Sequence, residues 1–209
     1  MLFRQMIEYL HSDWGTYLGY VAEHVVLSLE ALLIAVLAGV AGGYLCYRHG
    51  ALKKYVFFAA QGFRVIPSLA VLFILIPFSG VGRVPALIAL ALLAIPPILV
   101  NTCLGFEEVP QVLVETARGI GMDQMTAMGR VILPLAIPYL LTGLKLALIK
   151  IIASATLAAY IGAGGLGSLI LTGLGLYRMD LLVLGGGSVA ALSLLTMVIF
   201  ELLIPKKVY

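Results

Sequence analysis

ETARGIGMDQMTAMGRVILPLAIPYLLTGLKLALIKIIASATLAAYIG, residues 115–162, joins two kinds of sequence whose alternation decides the fold. Its first part, Glu115 to Pro134, is polar and punctuated by Gly119, Gly121 and Gly129. The rest, from about Ile132 to Gly162, is apolar apart from Lys145 and Lys150. That run exceeds the roughly 20 residues needed to cross a hydrocarbon core. In lipid it satisfies its own backbone hydrogen bonds only as a helix. A polar insert between such runs reaches out of the bilayer.

The whole chain repeats this alternation. Its 209 residues are 62% hydrophobic and 11% charged, with a mean hydropathy of +1.12, which excludes a soluble domain. A membrane barrel would show short alternating strands, whereas the apolar runs here are long and unbroken. The expected class is an all-α, polytopic membrane protein. A net charge of +3 is no argument for nucleic acid, because most basic residues fall at membrane flanks. Cys46 and Cys103 lie near span ends, match no metal or redox spacing, and read as unpaired structural thiols.

Five spans are expected: about Val25–Cys46, Tyr55–Ser79 with Arg64 and Pro67 inside, Val84–Leu104, Ile132–Gly162 and Leu181–Ile204. The Gly-rich piece 163–180 is too short to cross and reads as interfacial or re-entrant, packed on protein. Residues 1–24 have no continuous apolar core or small-residue cleavage site, so they read as an amphipathic surface helix rather than a removable signal peptide. The chain divides into an interfacial segment, 1–20, and a transmembrane domain, 21–209, with the polar insert at about 107–133. Arg48, Lys53, Lys54, Arg118, Arg130, Lys206 and Lys207 fall on one side of this topology, and Arg4, Arg83 and Arg178 on the other. The positive-inside bias then places the insert and C-terminus in the cytoplasm and the N-terminus outside.

Within the insert, Glu107, Glu108 and Glu115 start a helical stretch, and Gly119 and Gly121 permit a sharp turn. A second short helix, about Asp123 to Arg130, leads to Pro134, acceptable in the first turn of the next span. On residues alone, this is either an ordinary helical hairpin or a rigid element presented to a partner. No lysine follows a glycine, so the chain lacks the end of a phosphate-binding loop. Gly162, Gly164 and Gly167 spell G-x-G-x-x-G, but they follow a membrane helix rather than a strand and read as a turn at the membrane surface.

Glu30, Arg64, Lys145 and Lys150 fall within apolar runs, where charge is costly without water or a partner. A rise of about 1.5 Å per residue puts Glu30 and Lys150 within reach of an ion pair in depth. Snorkelling basic chains are the plainer alternative. If these residues line a path, three positive charges against one negative suit a zwitterion bearing a carboxylate better than a bare cation. Pro67, Pro96-Pro97 and Pro138 are expected to kink their spans, and Gly39 and Gly43 form G-x-x-x-G.

The stretch Glu115-Thr116-Ala117, Gly121, Val131, Leu133 and Pro134 resembles the EAA signature of permease subunits of bacterial ATP-binding-cassette importers, with Thr116 in place of an alanine and Val131 of an isoleucine. The resemblance implies the MetI-like type I permease fold. It also implies that the insert is a coupling helix seated in a cleft of the ATPase, with Glu115, Thr116, Ala117, Gly121, Met122, Asp123, Met125, Leu133 and Pro134 as coupling residues. Residues 66–77 (IPSLAVLFILIP), Asn101-Thr102 and residues 155–167 (ATLAAYIGAGGLG) resemble the osmoprotectant branch, which imports glycine betaine, carnitine and choline. Pro67, Ser68 and Asn101 thereby join Glu30, Arg64, Lys145 and Lys150 as path candidates.

The implied partners are an ATPase dimer, a second permease subunit that is identical or paralogous, an extracellular solute-binding protein and a small zwitterionic solute. ATP and magnesium belong to the ATPase, and this chain is expected to hold no cofactor or metal of its own. The implied setting is a bacterial inner or plasma membrane. A passive channel or exporter would leave the cytoplasmic insert without a purpose. An intramembrane enzyme lacks a metal or nucleophile motif around His11, His24 and His49.

Overall fold

The computed structural model describes residues 2–205, apart from the side chain of Leu52. The expected basic tail at Lys206 and Lys207 lies outside them. Every regular element among the described residues is helical. The chain opens with α1 (Leu2–Ser12) and α2 (Trp14–Arg48), which Asp13 separates. The surface helix is therefore shorter than expected, because residues 14–24 belong to α2 and the expected boundary at residue 20 falls inside it. At 35 residues, or about 52 Å at helical rise, α2 outreaches a hydrocarbon core. Its polar start is partly satisfied on protein, the buried His24 Nδ1 having no partner among the described residues. Glu23 accepts the Gly165 N–H at 2.9 Å, and the buried His24 ring bonds the Ile152 carbonyl at 3.0 Å through Nε2.

The expected span 55–79 is the largest departure. It forms α3 (Gly50–Val65) and α4 (Ser68–Ser79), bent by 97° to one another. Pro67 has no N–H to continue α3, and its ring drives Ile66 out of the helical region, to ψ 124°. Pro67 thus caps the start of α4 rather than kinking a continuous span. Helices α5 (Arg83–Glu107), α8 (Leu133–Ala158) and α10 (Met179–Leu203) accord with the remaining expected spans. They accommodate Pro96, Pro97 and Pro138 in their interiors.

At the centre, α2, α5 and α8 pack through small residues, as close helix approach in lipid requires. Ala31 and Ala35 of α2 meet Ala86, Ala89 and Ala94 of α5 and Ala147 and Ala155 of α8 in one buried cluster. The G-x-x-x-G pair lies on the α2–α5 contact: a Cβ at Gly39 would stand 2.8 Å from Ile98, and one at Gly43 2.6 Å from Thr102. Helix α9 (Leu166–Gly175) spans only 10 residues and packs on α10, in keeping with a non-crossing piece. Gly162 and Gly164 do turn the chain, at φ +80° and +82°. Gly167 instead lies within α9, where a Cβ would collide with the Thr156 carbonyl oxygen. Leu169, Leu181 and Leu184 of α9 and α10 receive Met6, Tyr9 and Leu10 of α1.

Candidate functional site: a projecting insert joined to the spans

Two short helices build the insert. Helix α6 (Gln111–Gly119) starts after Pro110 and ends in a turn that Gly121 makes available. Gly121 has φ +85°, its N–H bonds the Arg118 carbonyl, and the Met122 N–H bonds that of Ala117, both at 3.0 Å. This is the Schellman ending, with glycine in the left-handed position. Gly119 remains helical, so Gly121 alone of the two makes the turn. Asp123 then caps α7 (Gln124–Ala127), its carboxylate accepting from the backbone N–H groups of Met125 and Thr126 at 3.2 and 3.4 Å. The Thr126 hydroxyl first, and these N–H groups with it, hold the Asp123 carboxyl below the usual carboxylate range.

The expected separate second helix, Asp123–Arg130, is not what forms. Helix α7 passes through a wide π turn, Met128–Ile132, straight into α8, making one helical run from Gln124 to Ile161. Pro134 supplies no N–H, and the wide turn removes the strain its ring would place on the preceding turn. The first helix of the turn is fastened separately. Phe106 stacks on Tyr47 at 5.4 Å and meets Tyr44 edge-on at 5.5 Å, within a cluster that includes Val109, Val114, Met128, Ile132 and Ala136. Lys53 pairs with Glu107 beside it. Sequence reading missed this aromatic clamp, whose signal was three aromatic side chains at the ends of two apolar runs.

The coupling candidates separate by exposure. Ala117 and Ala127 are buried where the two short helices meet. Glu115, Thr116, Gly121, Asp123, Leu133 and Pro134 are exposed, and Met122 is half-buried. Ile120 and Met125 stand 70% and 83% exposed on either side of the turn, apolar tips on a polar projection. Such a surface is suited to a protein partner.

The path candidates do not assemble as expected. Glu30 pairs with Arg83 at 2.8 Å rather than with Lys150, because the first residue of α5 lies beside the middle of α2. Lys145 pairs with Glu201 of α10 at 3.2 Å. Arg64 lies in the last turn of α3, at the break and not within a straight span. Ser68 begins α4, and Asn101 of α5 turns its amide back to the Pro97 carbonyl at 2.8 Å, beside Gly143 of α8.

A family model described as "Binding-protein-dependent transport system inner membrane component" matches residues 31–209. The chain belongs to this family. Among curated members, the carnitine transport permease protein OpuCB of Listeria monocytogenes is 41% identical over 172 residues, 82% of this chain and 79% of the relative. The glycine betaine/carnitine/choline transport system permease protein OpuCB of Bacillus subtilis is 37% identical, over 91% of this chain and 88% of the relative. In fold, this permease is similar to a chain of the inward-facing MetNI methionine ABC transporter, with a TM-score of 0.80 at 23% identity, covering 90% of this chain and 94% of that one. A chain from an amino acid ABC transporter crystallised with histidines gives 0.75 at 20% identity, covering 96% of each.

Proposed function

We propose that this chain is the transmembrane subunit of an ATP-binding-cassette importer for small zwitterionic osmolytes of the glycine betaine and carnitine class. Two permease subunits enclose the path, a binding protein delivers solute, and a separate ATPase dimer holds ATP and magnesium. The insert faces the cytoplasm and receives the motion of that dimer. The N-terminus lies outside, as the clustering of Arg48, Lys53, Lys54, Arg118 and Arg130 at the insert end supports. The observation that carries this reading is the mechanical continuity of the insert. Its turn, with Ile120 and Met125 exposed, runs without a break into α8, so a push on the turn is delivered along a central span. The names of the relatives support the solute class.

Co-purification of the chain with its ATPase tests the coupling role. Wild type retains the ATPase, and Gly121→Asp loses it while remaining folded in the membrane. A wild type that binds no ATPase when both are intact refutes the reading.

A further inference from the structure

Helices α2 and α10 both pack on α8 and leave a groove of about 550 Å³ between them, lined by Tyr17 and Val21 of α2 and Val183, Gly187, Ala191 and Leu195 of α10. A cavity of about 170 Å³ continues it toward Leu148 and Ile152 of α8, and the two share Leu192 and Leu195. Small residues make the room. At Gly39, Gly43 and Gly185 a Cβ would collide with a neighbouring helix, as in close helix packing, whereas at Gly187 it would meet no atom within 4 Å. Glycine at 187 opens the groove and brings no two helices of this chain together.

The groove is too narrow for another helix. Ser188 Oγ donates to the Leu184 carbonyl at 2.6 Å, so the Tyr17 hydroxyl donates to Ser188, at 2.7 Å. Helices tied by one pair of side chains leave no room for a third, which needs about 10 Å. An acyl chain fits. From Val183 to Ile199 the lining extends about 24 Å at helical rise, more than the roughly 15 Å of one leaflet's hydrocarbon.

A polar cavity of about 660 Å³ adjoins the groove at the α1 end. Gln5 and Glu8 of α1 line this cavity while Met6 lines the groove, and Asp180 of α10 lines it one turn before Leu184 of the groove. Its charges are unequal. Arg178 spends two of its five N–H donors on Asp180. Glu8 has no partner among the described residues, and the hydrogen bond that Asp13 accepts is from the Ser12 hydroxyl, at 3.0 Å. Two carboxylates are left for a cation, and the remaining guanidinium N–H groups for a phosphate.

We infer that the groove holds an acyl chain of a phospholipid with a primary ammonium head, whose amine meets Glu8 and Asp13 and whose phosphate meets Arg178. An anionic head meets an excess of carboxylates instead, and a trimethylammonium head has no N–H to donate.

The test uses the full-length permease with the subunits that co-purify with it, in detergent, supplied with phosphatidylethanolamine, phosphatidylglycerol or phosphatidylcholine. Native mass spectrometry counts the lipid retained per chain, and thermal midpoint and size-exclusion profile check folding and assembly. Wild type retains phosphatidylethanolamine at roughly a tenth of the concentration that either other lipid needs, the worth of a charged hydrogen bond. Gly187→Leu fills the groove and abolishes retention. Gly186→Leu, at a helical position equally free of neighbours but outside the groove lining, keeps it. Glu8→Gln/Asp13→Asn still retains lipid but takes all three alike.

Retention by Gly187→Leu equal to wild type overturns the inference, as does equal loss from Gly186→Leu. A wild type that retains no lipid or favours another head overturns it too, as does a preference unchanged by Glu8→Gln/Asp13→Asn. Loss of a second permease copy from Gly187→Leu also overturns it, since that copy would then be what covers the groove. None of these results touches the importer reading, which ATPase co-purification tests.

Discussion

The sharpest consequence of the insert geometry is that one substitution, made two residues apart, has opposite effects. Gly121 sits at φ +85° with open space where a Cβ would be, so Gly121→Ala meets no atom and its cost is confined to the left-handed backbone. That cost is about 1–2 kcal/mol. Gly119 is helical and its Cβ position is also open, so alanine there gains about 0.5–1 kcal/mol instead. The affected hydrogen bonds are those of the Gly121 and Met122 amides to Arg118 and Ala117. Hydrogen–deuterium exchange of the 115–134 peptide in the purified permease reads the turn directly. Gly121→Ala speeds exchange of these amides by a factor of about 5–30, and Gly119→Ala slows it by a smaller factor. ATPase co-purification falls for Gly121→Ala alone. Exchange shifted in the same direction by both variants would refute the assignment of the turn to Gly121.

Three further outcomes follow from other elements. Tyr177 is the one non-glycine residue at positive φ among those described, at +54°, and ends α9 in a Schellman turn with its side chain 92% exposed. Tyr177→Gly therefore raises the thermal midpoint in detergent, by about 1 kcal/mol of stability, and a lowered midpoint would count against the strain argument. The Asp123 carboxyl, held low by Thr126 and the Met125 N–H, stabilises the α7 cap fully above its ordinary value of 3.8, and the cap is lost as pH falls through the lower folded value. Carboxyl-labelled NMR should give a midpoint below 3.8 that returns upward in Thr126→Val; a midpoint at or above 3.8 in the parent contradicts the cap. Glu201→Gln alone leaves the Lys145 charge, 20% exposed, without its partner, so it lowers membrane yield more than the double variant Lys145→Met/Glu201→Gln. Equal yields from the single and double variants speak against the pair.

Much of the architecture was legible because lipid leaves few alternatives. Long apolar runs must be helices, and four of the five expected spans are long single helices. The polar insert, a turn at Gly119 and Gly121, a close helix approach at Gly39 and Gly43 and the short α9 could all be read from spacing and composition, whereas the choice of Gly121 for the turn and of α5 as the partner could not. The family signature from Glu115 to Pro134 placed the chain among permeases before its shape was known.

Only the tertiary structure decided where neighbouring runs break, join and face. Hydropathy over residues 55–79 is continuous, yet Pro67 turns that run through 97°, because a missing N–H alters direction without altering apolarity. Conversely, the polar residues 123–130 looked like a separate helix but continue into α8 through a π turn, since a wide turn carries no mark in composition. Pairing is the clearest case. Depth along a span follows from counting residues, whereas azimuth depends on how the helices pack. Packing gave Glu30 to Arg83 and Lys145 to Glu201, and gave Lys150 no countercharge among the described residues.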